Sequence, residues 1–201
     1  MKFLPVVLIP LYWKRVRVRD AALAILVVGL LYVPFLNHGR IPIGSLGTYV
    51  QGFRFNGSVF AILHQVAPPQ LLVALAVLVG LATAICLRRT SPQLASEAFA
   101  WDQFGWPMAA SLLFAPVVFP WYLLWLLPFL TSASTLLIII WTVSIIPVYI
   151  MWHLNKLSGT WGSLPTWVML LEYGCVAIAA AIIALNRIAR PAVQCSTDEV
   201  A

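Results

Sequence analysis

The segment Ala115-Pro-Val-Val-Phe-Pro-Trp-Tyr-Leu-Leu-Trp-Leu-Leu-Pro-Phe-Leu130 decides how the rest of the chain is interpreted. It is apolar throughout and yet holds three prolines, each of which lacks the N–H that a continuing helix needs. Pro120 therefore predicts a break in the backbone, with one helix arriving and another leaving. The rings of Trp121 and Tyr122 favour the headgroup level of a bilayer, so we expect this corner at a membrane surface. On its own, such a corner is also typical of an aromatic anchor between two spans.

The composition is that of a protein embedded in a bilayer. Hydrophobic residues make up 62% of the chain and charged residues 9%, whereas a soluble domain is about 25% charged. Several runs reach the roughly 20 apolar residues that cross a bilayer. We therefore expect an all-α, polytopic transmembrane helix bundle. The net charge of +6 is dispersed over short loops, which favours positive-inside topology and attraction to anionic lipid over nucleic acid.

The apolar runs predict one membrane domain over residues 1–187, followed by a short, disordered cytoplasmic tail over 188–201. Residues 1–12 are too short to cross and predict a partial span, after which about six spans follow. These spans are predicted at 21–36, 70–87, 105–119, 121–130, 135–153 and 165–187. The glycine-rich loop 37–67 predicts irregular backbone, and 90–104 predicts a short interfacial helix.

The basic residues predict the orientation of the spans. The cluster from Lys14 to Arg19 and the pair Arg88-Arg89 mark the cytoplasmic side. Segment 121–130 is only about 15 Å long as a helix, so whether it crosses is left open. If it crosses, nine Lys and Arg residues lie inside against three outside, and otherwise eight against four. The positive-inside rule thus favours crossing and a cytoplasmic C-terminus.

The cysteines predict neither a disulfide framework nor a metal centre. Cys86 and Cys175 fall inside apolar spans, and Cys195 lies in the tail. An odd number at such positions does not form a framework, and no Cys or His spacing matches a metal site.

Four motifs follow one another in an order that resembles a known family. They are Lys2-Phe3 with Pro5 and Pro10 before a basic turn, then YVQGFRFNGSVF at 49–60, PWYLLWLLPF at 120–129 and PTWVMLLEY at 165–173. The series resembles the C-terminal half of GT-C-type membrane glycosyltransferases, especially bacterial polyprenyl-phosphate-mannose-dependent mannosyltransferases. The resemblance implies transfer of a sugar from a polyprenyl-phosphate donor to an acceptor at the extracytoplasmic face of the bacterial cytoplasmic membrane. Mannose is the sugar that the resemblance leads us to expect. It implies no cofactor beyond that lipid donor.

Two departures from the family pattern bear on catalysis. Such enzymes carry an acidic catalytic residue in the first extracytoplasmic loop, and neither predicted extracytoplasmic loop here holds a carboxylate. Members often have His or another polar residue before the Pro-Trp-Tyr corner, where this chain has Phe119. We therefore assign no catalytic residue and expect a C-terminal portion that is completed by an N-terminal half or subunit. The rival classes are a non-catalytic subunit that binds lipid-linked sugar and a small transporter, which would show polar residues on several facing spans.

The resemblance implies a lipid-phosphate and sugar site built from Arg54, Asn56, Trp121 and Tyr122. The Arg54 guanidinium would bind phosphate in a bidentate manner, although such a residue can also snorkel to headgroups. Asn56 would bond a sugar hydroxyl or satisfy its own turn. The two rings would form the wall of the lipid-sugar site.

Four further residues are secondary candidates. We expect Arg40 and Lys156 as interfacial anchors and His64 as a proton relay or a solvated loop residue. Glu172 lies about 10 Å along the last helix from Pro165, where an ionisable group is costly. It is therefore expected to face either protein or a wet cavity, and to be protonated or paired with a structural partner such as a hydroxyl, a tyrosine or a lysine.

Overall fold

The structure, a computed structural model, describes residues 4–36, 54–90, 101–158 and 164–189, with the side chains of 158 and 187–189 excepted. These residues are mostly helical and contain no β-strand, so the all-α class is confirmed. Two isolated bridges join Phe55 and Asn56 to Val117. The chain forms two compact units, unit 1 over Met1–Val118 and unit 2 over Phe119–Ala201.

Each unit contains short and long helices. Unit 1 opens with a 3-10 turn at Leu4–Leu8, and its α-helices are α1 (Ile9–Tyr12), α2 (Val18–Tyr32), α3 (Ser58–Leu63), α4 (Pro69–Thr90) and α5 (Gly105–Leu113). The α-helices of unit 2 are α6 (Pro120–Leu123), α7 (Leu136–Ser144), α8 (Ile150–Ser158) and α9 (Thr166–Ala189). Further 3-10 turns lie at Val33–Phe35, Trp101–Phe104, Leu124–Phe129, Ala133–Thr135 and Ile146–Tyr149.

Four helical stretches of the described chain are long and apolar enough to cross a membrane. They are Val18–Phe35, Pro69–Thr90, Ala133–Leu157 and Thr166–Asn186. The chain is therefore a membrane protein by the length and composition of its helices, and four of the predicted spans are found. The predicted total of about six is not confirmed, because 105–119 and 121–130 form shorter helices.

Close packing against small residues holds unit 1 together. The buried face of α4 repeats every four residues as Leu72, Ala76, Gly80 and Ala84. A Cβ placed on Gly80 would lie 2.8 Å from Val7 Cγ1 and 3.0 Å from a backbone carbonyl of α5. Small residues permit this approach, as they do in membrane helix pairs generally. The predicted partial span at the N-terminus thus packs against α4 through one buried face.

The predicted span 105–119 is wrong in its second half, because α5 ends at Leu113. Beyond it the backbone bonds to a segment some sixty residues earlier: the Phe55 N–H donates to Pro116 O at 3.0 Å, and the Val118 N–H donates to Phe55 O at 2.9 Å. Pro116 has no N–H with which to extend the helix, and its carbonyl is used across the chain instead.

The predicted irregular loop 37–67 is also wrong in part. Its described portion contains α3, Ser58–Leu63, which follows Gly57 and has neither glycine nor proline inside it. The close approach of the chain explains Gly57, because a Cβ there would lie 2.6 Å from Ala115 O. Residues 37–53, most of the predicted interfacial helix at 90–104, and nearly all of the tail lie outside the described residues.

The corner predicted at Pro120 is confirmed within unit 2. Phe119 is extended, with φ −90° and ψ 150°, and α6 begins at Pro120. Proline suits this first helical position because its missing N–H would be unpaired there in any case. The 3-10 turn Leu124–Phe129 continues the segment, and α7 then packs against α9. Pro147 lies in the 3-10 turn Ile146–Tyr149, which separates α7 from α8.

Candidate functional site

Arg54 and Asn56 lie in unit 1, at the end where the chain bonds to residues 116–118. Arg54 is exposed. Asn56 is 5% exposed and has a positive φ of 54°, a left-handed conformation that asparagine tolerates better than most residues. Its Nδ2 donates to Val118 O at 3.4 Å. The side chain of Asn56 thus has a structural bond, and its predicted contact with a sugar stays a prediction.

His64 makes local contacts at the end of α3. Its ring stacks on Phe60 at a centroid distance of 5.7 Å, and Nδ1 lies 3.2 Å from Ala67 O. A protonated Nδ1 donates to that carbonyl, which fixes the ring against the turn after α3. The other secondary candidate from this part of the chain, Arg40, lies outside the described residues.

Trp121 lies among four other aromatic side chains in unit 2. Its ring stacks on Phe119 at 4.3 Å with an interplanar angle of 13°, and it meets Trp152 edge to face at 5.5 Å. Tyr122 lies 6.1 Å from Trp121, and Tyr149 lies 6.4 Å from it. Stacked and edge-to-face pairs each contribute about 0.5–1.5 kcal/mol beyond the area they bury. The five rings, called the Trp121 cluster below, therefore hold one another in a fixed arrangement.

The Trp121 cluster has a buried floor and an exposed rim. Phe119 is 8% exposed, Trp121 and Tyr122 are half-buried, and Tyr149 and Trp152 are 46% and 42% exposed. The contact between Trp121 and Trp152 requires that both rings lie at the same end of unit 2. This is the arrangement expected if the chain crosses the membrane after Trp121 and crosses back before Trp152. The orientation of these segments in a membrane stays a prediction.

Lys156 follows the rim of the cluster on α8. It lies four residues after Trp152, which places the two on one face of the helix, and it is exposed. Among the side chains that the structure describes in unit 2, no other Lys or Arg occurs. His153, also exposed, lies beside Trp152 in the sequence.

An apolar cavity of about 420 Å³ lies between α7 and α9. It is lined by Ile139, Ile140, Val143, Ser144, Pro147, Leu171 and Cys175. Pro147 belongs to the same 3-10 turn as Tyr149, so one end of the cavity reaches the turn that carries part of the Trp121 cluster.

Glu172 is fully buried between α7 and α9. Its Oε1 accepts a hydrogen bond from Trp141 Nε1 at 2.7 Å. Ser144 Oγ lies 3.3 Å from two carbonyls, that of Trp141 on its own helix and that of Glu172 on α9, and can donate to either. Glu172 thus faces protein, one of the two expected surroundings, and it accepts from an indole N–H, which was not among the partners suggested by the sequence.

The predicted site residues fall into both units. Arg54 and Asn56 belong to unit 1, whereas Trp121, Tyr122, Lys156 and Glu172 belong to unit 2. Within unit 2, Trp121 and Tyr122 lie together, and Glu172 is held apart by its burial. A common pocket for Arg54 and the Trp121 corner stays a prediction.

Comparison of the chain with protein-family models, with curated proteins and with solved structures finds no match. The functional argument therefore depends on the residues and their geometry alone.

Sequence reasoning missed part of the Trp121 cluster. Tyr149 and Trp152 both lie within 135–153, which the sequence predicts as one uniform span. The signal was Pro147, which interrupts the run and is followed by two aromatic residues three positions apart. That spacing places two side chains on one side of a helical segment.

Proposed function

We propose that the chain binds a polyprenyl-phosphate sugar at the surface of a bilayer, as the sugar-binding part of a GT-C-like membrane glycosyltransferase. The observation that carries the proposal is the Trp121 cluster, a fixed group of aromatic rings with an exposed rim in a chain of membrane-length helices. Small-molecule sites are lined mainly by aromatic and apolar side chains with a few polar groups that fix orientation.

The chemistry of the rings suits a sugar. The C–H faces of a hexose pack against aromatic faces, and the O–H groups of Tyr122 and Tyr149 are able to bond its hydroxyls. A ring surface that is already ordered also loses little conformational entropy on binding.

The two other parts of a lipid-linked sugar have candidate partners in unit 2. Lys156, one helical turn beyond Trp152, supplies an ammonium group for the phosphodiester. The apolar cavity between α7 and α9 suits a hydrocarbon chain, since its lining is almost wholly aliphatic. Arg54, in unit 1, stays a phosphate ligand only as the family resemblance implies.

Within unit 2, the described residues hold one carboxylate, Glu172, which is fully buried and bonded to Trp141 and therefore does not reach this sugar. A general base has to reach the proton that it removes. The proposal therefore concerns binding, with the catalytic carboxylate unassigned. The burial of Glu172 favours, as a second candidate function, a non-catalytic subunit that binds lipid-linked sugar.

Binding of a short-chain polyprenyl-phosphate mannose to the purified chain in detergent tests the proposal. We expect Trp152→Ala to weaken binding by about tenfold, because a lost ring–ligand contact of about 1–1.5 kcal/mol corresponds to that factor. Trp125→Ala is the matched control: Trp125 is 48% exposed and lies on the same segment as Trp121 but outside the cluster. Equal loss in both variants, or no binding by the wild-type chain, would contradict the proposal.

A further inference from the structure

One end of unit 1 brings together three segments that are distant in sequence. Arg88 Nη1, at the C-terminal end of α4, donates to Pro10 O at 2.6 Å, which ties that end to α1. The ring of Tyr12 meets Phe104 edge to face at 5.3 Å, and Trp101 lies 6.4 Å from Phe104. The turn after α1, the end of α4 and the turn before α5 therefore share one end, called the basic end below.

The basic end carries a large excess of positive charge. Its cations are Lys14, Arg15, Arg17, Arg19, Arg88 and Arg89, and its described carboxylates are Asp20 and Asp102. Among the described residues, six cations and two carboxylates leave a net charge of +4 at the basic end. Glu97 lies outside the described residues.

Several of the charged side chains at the basic end are exposed to solvent. Asp20 pairs with Arg19 at 3.4 Å, but both side chains are more than half exposed, and exposed pairs contribute about 0–1 kcal/mol. Lys14, Arg17 and Arg89 are exposed. The turn that presents them is well defined, because the N–H groups of residues 15 and 16 both donate to Tyr12 O at 2.9 and 3.3 Å.

Exposed aromatic rings and membrane-length helices suit a position of the basic end at the level of lipid headgroups. Trp13 is 66% exposed and Trp101 is 53% exposed, and tryptophan is enriched at that level. The stretch Val18–Phe35 begins at this end, and Pro69–Thr90 finishes there. An acidic protein would not require two apolar helices of this length beside its binding surface.

We propose that the basic end is a binding site for anionic phospholipid headgroups, with Arg17 and Arg89 among the residues that hold the phosphate. Guanidinium groups bind phosphate in a planar, bidentate geometry, and each cation near an anionic surface contributes about 1 kcal/mol. The site is independent of the proposed sugar-binding function.

Native mass spectrometry of the full chain, released from mixed micelles that contain phosphatidylglycerol or phosphatidylcholine, tests the proposal. We expect the wild-type chain to retain phosphatidylglycerol in preference to phosphatidylcholine. Arg17→Gln and Arg89→Gln are each expected to lower the affinity for phosphatidylglycerol about fivefold, the equivalent of about 1 kcal/mol. Both side chains are exposed, so the variants should keep the helical circular dichroism of the wild type.

Matched controls distinguish a binding site at the basic end from general attraction between the positively charged chain and anionic lipid. Arg17→Lys and Arg89→Lys keep the charge and should lose less than twofold. Gln65→Glu lowers the net charge by one, as Arg89→Gln does, but at an exposed residue just before the N-terminal end of α4, opposite the end that carries Arg89. Equal losses in Gln65→Glu and Arg89→Gln, or no preference for phosphatidylglycerol, would overturn the proposal. So would displacement of the lipid by an equal concentration of a short acidic peptide, which would point to a protein partner.

Discussion

The hydrogen bond between Trp141 and Glu172 should tie α7 to α9 energetically, and a double-mutant cycle measures this directly. Glu172→Leu leaves a buried indole N–H without its acceptor, which costs about 1–3 kcal/mol. Trp141→Phe removes the donor and costs a similar amount. The bond from Ser144 Oγ to the backbone carbonyl of residue 172 does not depend on the side chain there, so it should persist in both variants.

The double variant should lower the free energy of unfolding by less than the sum of the two single variants, because neither group of this hydrogen bond is left without the other. In membrane proteins such side-chain pairs couple by about 0.6 kcal/mol on average and at most about 1.7 kcal/mol. The 2.7 Å distance and the complete burial of Glu172 place this pair toward the upper value. We therefore expect a coupling free energy of about 1–1.5 kcal/mol.

The cycle is measured by titrating the chain in mixed micelles with sodium dodecyl sulfate and following the loss of helical circular dichroism. Glu172→Gln keeps an acceptor oxygen at nearly the same volume and should cost less than about 1 kcal/mol. Thr142→Val is the control, since its Oγ1 donates at 2.8 Å only to Ile138 O of the same helix, and it should add to Glu172→Leu without coupling. Additivity of Trp141→Phe and Glu172→Leu within about 0.5 kcal/mol would refute the reasoning.

Three further predictions follow from unit 1. Gly80→Ala should lower the free energy of unfolding by about 1–3 kcal/mol, because its Cβ would lie 2.8 Å from a neighbouring side chain. Gly29→Ala, whose Cβ would meet nothing within 4 Å, should not lower it. Equal effects of the two substitutions in denaturant titrations would contradict the close packing at Gly80. Asn56→Ala should cost about 1 kcal/mol more than Asn56→Gly, since glycine accepts the positive φ, and a stability measurement with the reverse order would rule out backbone strain as the cause. In a background without the native cysteines, Arg54→Cys and Arg89→Cys should be labelled by an impermeant thiol reagent from opposite sides of the membrane. Labelling of both positions from the same side would show that residues 54 and 89 do not lie at opposite ends of unit 1.

The fold was predictable where local composition alone determines it. The spans at 70–87 and 165–187 were found because long apolar runs without internal proline form helices whatever surrounds them. The end of α5 at Leu113 was not found, although Pro116 is a local signal for it. The bonds with Phe55 that replace the helix there join segments too distant to leave a periodic signal in the sequence. The same contact explains the closely packed glycine at position 57.

The candidate site was predictable only at its proline corner. Trp121 and Tyr122 were identified because Pro120 predicts a break and the rings predict a surface level. Their neighbour Tyr149 was not identified, because the apolar run around it predicts one continuous helix. The structure instead has a 3-10 turn at Pro147, and that turn carries Tyr149. The depth of Glu172 predicted its burial, but an indole partner 31 residues away cannot be read from spacing.

The most direct measurement of the central claim is photo-crosslinking with a polyprenyl-phosphate sugar that carries a diazirine on the sugar ring. After irradiation of the full chain in lipid nanodiscs, the labelled peptides are identified by mass spectrometry. The account predicts labels at residues 119–122 and 149–152, with strong loss of labelling in Trp121→Ala. Labels concentrated instead around Trp125 or Trp167, both exposed and outside the Trp121 cluster, would contradict the claim that this cluster binds the sugar.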